Sequence, residues 1–137
     1  MNKYYIDTSI WIDIYEDRKG FNNEPLGEYA LKLFAFIRKE KHKLIISDIL
    51  IRELERYYSM EKINGMIKIY ENLIERIITT QKQRNEAKII GEQNNLPPGD
   101  ALHSIISRDN NLILVTRDKH FKKIEFISKS YKPEELI

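Results

Sequence analysis

Short runs of consecutive apolar residues alternate along the chain with stretches in which apolar residues recur every three to four positions. Buried strands and amphipathic helices are therefore expected in turn. Tyr4–Ile6 predicts a first strand, and Thr8 or Ser9 can cap a short helix through Tyr15. Glu16–Pro25 carries Gly20, Asn22, Asn23 and Pro25 and reads as a loop. Ala30, Leu31, Leu33, Phe34 and Ile37 predict a helix over Leu26–Lys39. Leu44–Ile46 predicts a second strand, and Ser47 starts a helix to about Tyr58. Glu61–Arg76 reads as one amphipathic helix weakened by Gly65, followed by a brief strand candidate at Ile77–Ile78. Thr79 or Thr80 opens a helix to Asn94, and Leu96–Gly99 breaks the chain. Asp100–Arg108 is helical, Asn110–Asn111 turns, Leu112–Val115 is the clearest strand, and Phe126–Ile127 is a last, weaker one.

Short apolar strands separated by helices indicate parallel βαβ units with helices on both faces of a sheet. The chain has 137 residues, 42% hydrophobic and 32% charged, with no repeat or linker; one domain over 1–137 is expected. It has no cysteine, which excludes disulfides and thiolate metal sites, so any metal must be held by oxygen or imidazole. No apolar run is long enough to span a bilayer, and the N-terminal residues lack a signal-peptide pattern; a cytoplasmic protein is expected. A formal net charge of +2 permits nucleic-acid binding only through local clustering of basic residues.

Four carboxylates stand where chemistry is expected. Asp7 directly follows the first strand, and ligands of open parallel sheets sit beyond the strands' carboxyl ends. It could equally cap the following helix. Asp118 follows Leu112–Val115 with Thr116 and Arg117 between, and could cap the turn at Lys119–Phe121. Setting Ile49 at zero on a helix, Glu53 falls near roughly 40°, within the stripe formed by Ile49, Leu50, Leu54 and Tyr57, whereas Glu55 falls near roughly 240°. An inward carboxylate needs a partner, either a metal or an arginine such as Arg52 or Arg56. Asp100 begins a helix after Pro97–Pro98–Gly99, where its local role is N-cap; His103, Ser104 and Ser107 share its face. His103 either binds phosphate or serves structure.

Four carboxylates brought together repel and raise one another's pKa, so they need cations. Hard oxygen ligands select Mg²⁺ or Mn²⁺ over zinc, and such ions support phosphodiester hydrolysis.

The segments IDTSIWID at Ile6–Asp13, SDILIRELE at Ser47–Glu55, LPPGDALH at Leu96–His103 and VTRDKHF at Val115–Phe121 occur in that order. Together they resemble the PIN-domain family, including the VapC-type toxins of toxin–antitoxin pairs, over nearly the whole chain. The resemblance implies an α/β fold, a three-layer α/β/α sandwich with a central parallel sheet. It implies an endoribonuclease using Mg²⁺ or Mn²⁺, usually a homodimer, with an antitoxin protein as partner if the chain is a toxin. The family's acidic positions map to Asp7, Glu53, Asp100 and Asp118, with Asp7, Asp100 and Asp118 as metal ligands and Thr8 and Thr116 in support. Asp13, Asp17 and Asp48 leave ligand identity partly open.

An RNA-processing nuclease without an antitoxin, a receiver-like signalling module and a non-catalytic RNA-binding scaffold are the competing readings. The receiver pattern fits less well, because Leu44–Ile46 ends in Ser47 and Asp48 and leaves Glu53 and Asp100 without a role. No Walker-type glycine loop is present. For holding RNA, Arg117 and Lys119 follow the last main strand, together with His120, Lys122 and Lys123, and Arg52 and Arg56 flank Glu53. Such residues would attract and position the phosphate backbone.

Overall fold

A computed structural model describes residues 1–137. Five strands form one sheet: β1 (Lys3–Ile6), β2 (Lys43–Ser47), β3 (Ile74–Ile77), β4 (Ile113–Val115) and β5 (Ser130–Tyr131). All neighbours pair in parallel, in the order β3-β2-β1-β4-β5. Side chains alternate across a strand, and the register keeps that alternation aligned. Tyr4 pairs with Leu44 and Ile113, Tyr5 with Ile45 and Leu114, and Ile6 with Val115. Tyr4, Ile6, Leu44, Ile46 and Val115 therefore enter one core, while Tyr5, Ile45 and Leu114 enter another on the opposite face.

Helices α1 (Thr8–Glu16), α2 (Leu26–Lys39), α3 (Asp48–Leu54) and α4 (Met60–Lys68) cover the first face. Helices α5 (Gln81–Asn94) and α6 (Pro98–Asp109), with a 3-10 turn at Lys119–Ile124, cover the second. The result is three layers. Trp11 of α1, Phe34 of α2 and Tyr70 pack edge to face, with Phe34 5.1 Å from Trp11 and 4.9 Å from Tyr70. Each such pair adds about 0.5–1.5 kcal/mol beyond area burial. No helix is long and apolar enough to cross a membrane.

Several boundaries differ from those expected. The helix after Ser47 stops at Leu54, and Ser59 caps a new one by accepting the Lys62 N–H at 3.3 Å. The long helix expected over Glu61–Arg76 ends at Lys68, and Ile74–Ile77 pairs with β2 instead. Strand pairing there satisfies the backbone, and an edge position tolerates Glu75 and Arg76. Ile78, expected in that strand, lies beyond it and is exposed. The last strand is Ser130–Tyr131 rather than Phe126–Ile127; Phe126 is exposed and Ile127 drops into the second core from a turn. Helix α6 starts at Pro98, whose missing N–H costs nothing in a first turn, so Asp100 lies inside that turn and is not its cap.

The chain leaves β1 for β2 on one side and later returns to β4 on the other. Connections diverge at the carboxyl ends of β1 and β4, which opens a crevice there.

Candidate active site

Asp7 ends β1 and caps α1. Its Oδ1 accepts the Thr8 N–H at 2.8 Å, and its Oδ2 accepts the hydroxyls of Ser9 and Thr116, each at 2.9 Å. The Asp7 N–H donates to the Val115 carbonyl at 2.9 Å, tying the residue to β4. Three protein donors thus fix a buried carboxylate. Thr116 also accepts the Asp118 N–H through its hydroxyl at 3.1 Å, so one threonine orients two of the acids.

Glu53 lies in the last turn of α3. Its Oε1 accepts the Thr8 hydroxyl at 2.7 Å and is bonded to His103 Nε2, also at 2.7 Å. The other imidazole nitrogen, Nδ1, is 2.6 Å from the Tyr5 hydroxyl, which is 2.5 Å from Ser47 Oγ. Ser47 Oγ in turn accepts the Leu50 N–H at 3.1 Å. A continuous hydrogen-bonded chain leaves α3 at its cap, crosses β1 and α6, and returns to α3 at Glu53. Burial alone would push the Glu53 carboxyl up, but the hydrogen bond and charge of His103 and the Thr8 hydroxyl hold it below its ordinary value. Burial pulls His103 down, and Glu53, then Asp7 and Asp100, carry it above its ordinary value nonetheless. Burial also raises the Tyr5 phenol well above the usual range, so it stays protonated. His103 is only 1% exposed and engages protein through both nitrogens, which sets aside a phosphate-binding role. It is buried because α6 is covered on both sides; Ala101 to Ser107 are all buried, not one face alone.

Asp100 Oδ2 is 3.0 Å from His120 Nδ1, and Asp118 Oδ1 accepts the His120 N–H at 2.9 Å. Burial, then the charges of Asp118 and Asp7, push the Asp100 carboxyl above its ordinary value, against the opposing hydrogen bond from His120.

Asp7, Glu53, Asp100 and Asp118 all line one cleft of about 290 Å³, together with Thr8, Ser9, Arg18, Arg56 and Tyr57. The geometry gathers every acid singled out from the sequence. Asp48 does not join them: its carboxylate accepts the N–H and hydroxyl of Thr79, each at 3.0 Å. Asp13 is buried between Arg18 and Arg117, each 3.7 Å away.

The basic rim differs from expectation. Arg56 lines the cleft, whereas Arg52 and Lys119 are exposed elsewhere. Arg117 grips Glu134 through both terminal nitrogens at 2.9 and 2.6 Å and faces Asp13 and the Tyr29 ring. Unlike the phosphate contact expected of it, Arg117 does not line the cleft; its guanidinium ties the C-terminal residues to α1 through Glu134 and the nearby Asp13. Arg18 takes its place at the cleft. The left-handed backbone of Asp17 ends α1 and turns Arg18 back onto Asp13, a conformation that composition does not reveal.

Two separate sets of residues each bring their potential ligand atoms within 4.8 Å of one another: Asp7, Glu53 and His103 in one, and Asp100, Asp118 and His120 in the other. His103 offers no free nitrogen. The carboxylates do fit a hard cation. Hydrogen bonds engage Glu53 Oε1, Asp100 Oδ2 and Asp118 Oδ1, leaving the second oxygen of each for another partner. Gly99 leaves room beside one of them, because a Cβ there would stand 3.0 Å from Glu53 Oε2. Burial, and then the charges of Asp118 and Asp7, raise the Asp100 carboxyl, and a bound cation would favour its charged form.

A family model described as "PIN domain" matches residues 4–127. No curated protein matches the sequence. Among solved structures, VapBC2 from Rickettsia felis, bound to a DNA fragment from its promoter, aligns with a TM-score of 0.68 at 20% identity, covering 95% of this chain and 98% of that one. A toxin–antitoxin complex from Klebsiella pneumoniae aligns with a TM-score of 0.66 at 18% identity, covering 95% and 97%. A Pyrobaculum aerophilum protein aligns with a TM-score of 0.60 at 18% identity, covering 98% and 92%. At these identities the structural likeness establishes the fold, and the family match covers most of the chain. The chain belongs to the PIN-domain family.

Proposed function

We propose that residues 1–137, as one domain, form a Mg²⁺- or Mn²⁺-dependent endoribonuclease, the toxin of a toxin–antitoxin pair acting in the cytoplasm as a homodimer. The observation that carries the nuclease reading is the convergence of four carboxylates on one cleft, three with an oxygen that no protein donor engages. The toxin reading is supported by the likeness to VapBC2 and to the Klebsiella toxin–antitoxin complex.

Asp7, Asp100 and Asp118 would hold the ion, and Glu53 would act beside it. A bound divalent cation supplies charge neutralisation for the phosphodiester and acidifies water. Thr8 and Thr116 keep Glu53 and Asp7 in place through the hydrogen bonds described above. Glu53 would accept a proton from an attacking water through Oε2, since Oε1 already serves Thr8 and His103. Arg18 and Arg56, on the cleft wall, attract phosphate that the acids would otherwise repel.

The test is cleavage of single-stranded RNA with Mg²⁺, with Mn²⁺ and with EDTA, beside an Asp7→Asn variant. Cleavage by wild type with either ion is expected, with none in EDTA or in the variant. Cleavage that survives EDTA, or an Asp7→Asn variant as active as wild type, refutes the proposal.

A further inference from the structure

We propose that His120 is itself a metal ligand, binding through Nδ1 beside Asp100 and Asp118, and that it biases the site toward transition-metal ions over Mg²⁺. The inference rests on reading the acid cluster as a metal site and adds a nitrogen to its all-oxygen ligand set.

The imidazole stands between the two carboxylates. Its Nδ1 is 3.0 Å from Asp100 Oδ2 and 3.4 Å from Asp118 Oδ1, and the three potential ligand atoms fall within 4.8 Å of one another. One ion about 2 Å from each ligand requires separations of this order. The backbone that carries the ring is held as well. The His120 N–H bonds Asp118 Oδ1 at 2.9 Å, and the next residue, Phe121, is fully buried in the second core with Ile124. The turn carrying His120 is therefore anchored, although the imidazole is half-exposed at 47% and open to an incoming ion.

The other two histidines do not offer this. His103 is buried with both nitrogens engaged. His42 lies at the opposite end of the sheet, just before β2, and its Nδ1 accepts the Asn2 N–H at 3.0 Å. Among the histidines, His120 alone places a solvent-exposed imidazole nitrogen beside cleft carboxylates. Carboxylate and water suit Mg²⁺, whereas imidazole suits first-row transition ions later in the affinity series. A mixed set of one nitrogen and carboxylate oxygens thus favours ions such as Co²⁺ or Fe²⁺ relative to an all-oxygen site.

The experiment measures Co²⁺ and Mg²⁺ binding to the full chain by calorimetry, for wild type, His120→Gln and Asp118→Asn. The proton spectrum of the Co²⁺-loaded proteins is recorded alongside. Wild type is expected to show a hyperfine-shifted, exchangeable imidazole N–H resonance that His120→Gln lacks. His120→Gln should weaken Co²⁺ at least about tenfold, the lower end of what even an outer partner of a metal site contributes, and Mg²⁺ by less than about threefold. Asp118→Asn should weaken both ions. Co²⁺ binding with the shifted resonance or the affinity unchanged in His120→Gln overturns the His120 assignment and leaves the four-acid site standing. Failure of wild type to bind any divalent ion overturns both.

Discussion

Tyr5→Phe removes one oxygen from the middle of the buried chain that runs from Ser47 to Glu53. The ring stays, so the packing of β1 against the second core is kept. His103 Nδ1 loses its partner at 2.6 Å, while Ser47 Oγ still accepts the Leu50 N–H. The cost is that of one buried polar atom left unpaired, about 1–3 kcal/mol. For 137 residues the unfolding entropy is about 0.29 kcal/mol/K, so the melting temperature should fall by about 3–10 °C. Tyr4→Phe is the matched control, because Tyr4 packs on the opposite face and takes no part in the chain. Its effect should stay within about 0.5 kcal/mol. Urea unfolding at neutral pH with unchanged m-values would give both numbers. Equal losses in the two variants would refute the reasoning, since the hydroxyl chain would then contribute nothing to stability.

The His103–Glu53 pair sets a pH window. Glu53 is lowered from 4.5, so its contribution is present above that pH and is lost as pH falls through the folded value; His103 is raised from 6.5, so its contribution is present below that pH and is lost as pH rises through the folded value. The stability gap between wild type and His103→Gln should peak between 4.5 and 6.5, and a gap that widens with rising alkalinity contradicts the pairing. Gly99→Ala should leave stability unchanged or raised by up to about 1 kcal/mol, as for glycine replaced within a helix, yet reduce cleavage because its Cβ crowds Glu53 Oε2; a melt and an RNA-cleavage assay on the same sample test both signs. Arg56→Ala should weaken single-stranded RNA binding and flatten the salt slope by about 0.7 per lost phosphate contact. Arg117→Ala should instead cost about 1.5–3 kcal/mol of stability through its charged hydrogen bonds and leave that slope unchanged; a flattened slope there restores Arg117 to the RNA-binding rim.

Asp7 and Asp118 were legible because each follows an apolar run that becomes a strand of the sheet's centre. Glu53 was legible from its angle on a helix, although the supporting Tyr57 lies beyond the end of α3 and is exposed. Asp100 was legible by place but not by role, since Pro98 starts its helix two residues earlier. Arg117 misled because nearness in sequence is not nearness in space. Neighbours on extended backbone point to opposite sides, so Thr116 and Asp118 turn toward the cleft and Arg117 turns away to Glu134. Only the end of strand β3 was legible, as the candidate at Ile77–Ile78; its start was read as helix because Ile74 and Ile77 are three apart, a spacing that suits a helix as well as a pleat. Its pairing partner lies about a sequence-distant element away in β2, which local pattern does not report.

The bond between Asp7 and Thr116 joins residues 109 positions apart. Asp7 is synthesised well before β4, the strand that completes its surroundings. A ribosome adds about 5–20 residues per second, so for several seconds a nascent chain holds Asp7 and Glu53 without Thr116 or Asp118. Through that interval the acids are not assembled around one cleft. A chain built this way completes its acidic cleft only once β4 and the residues after it have been made.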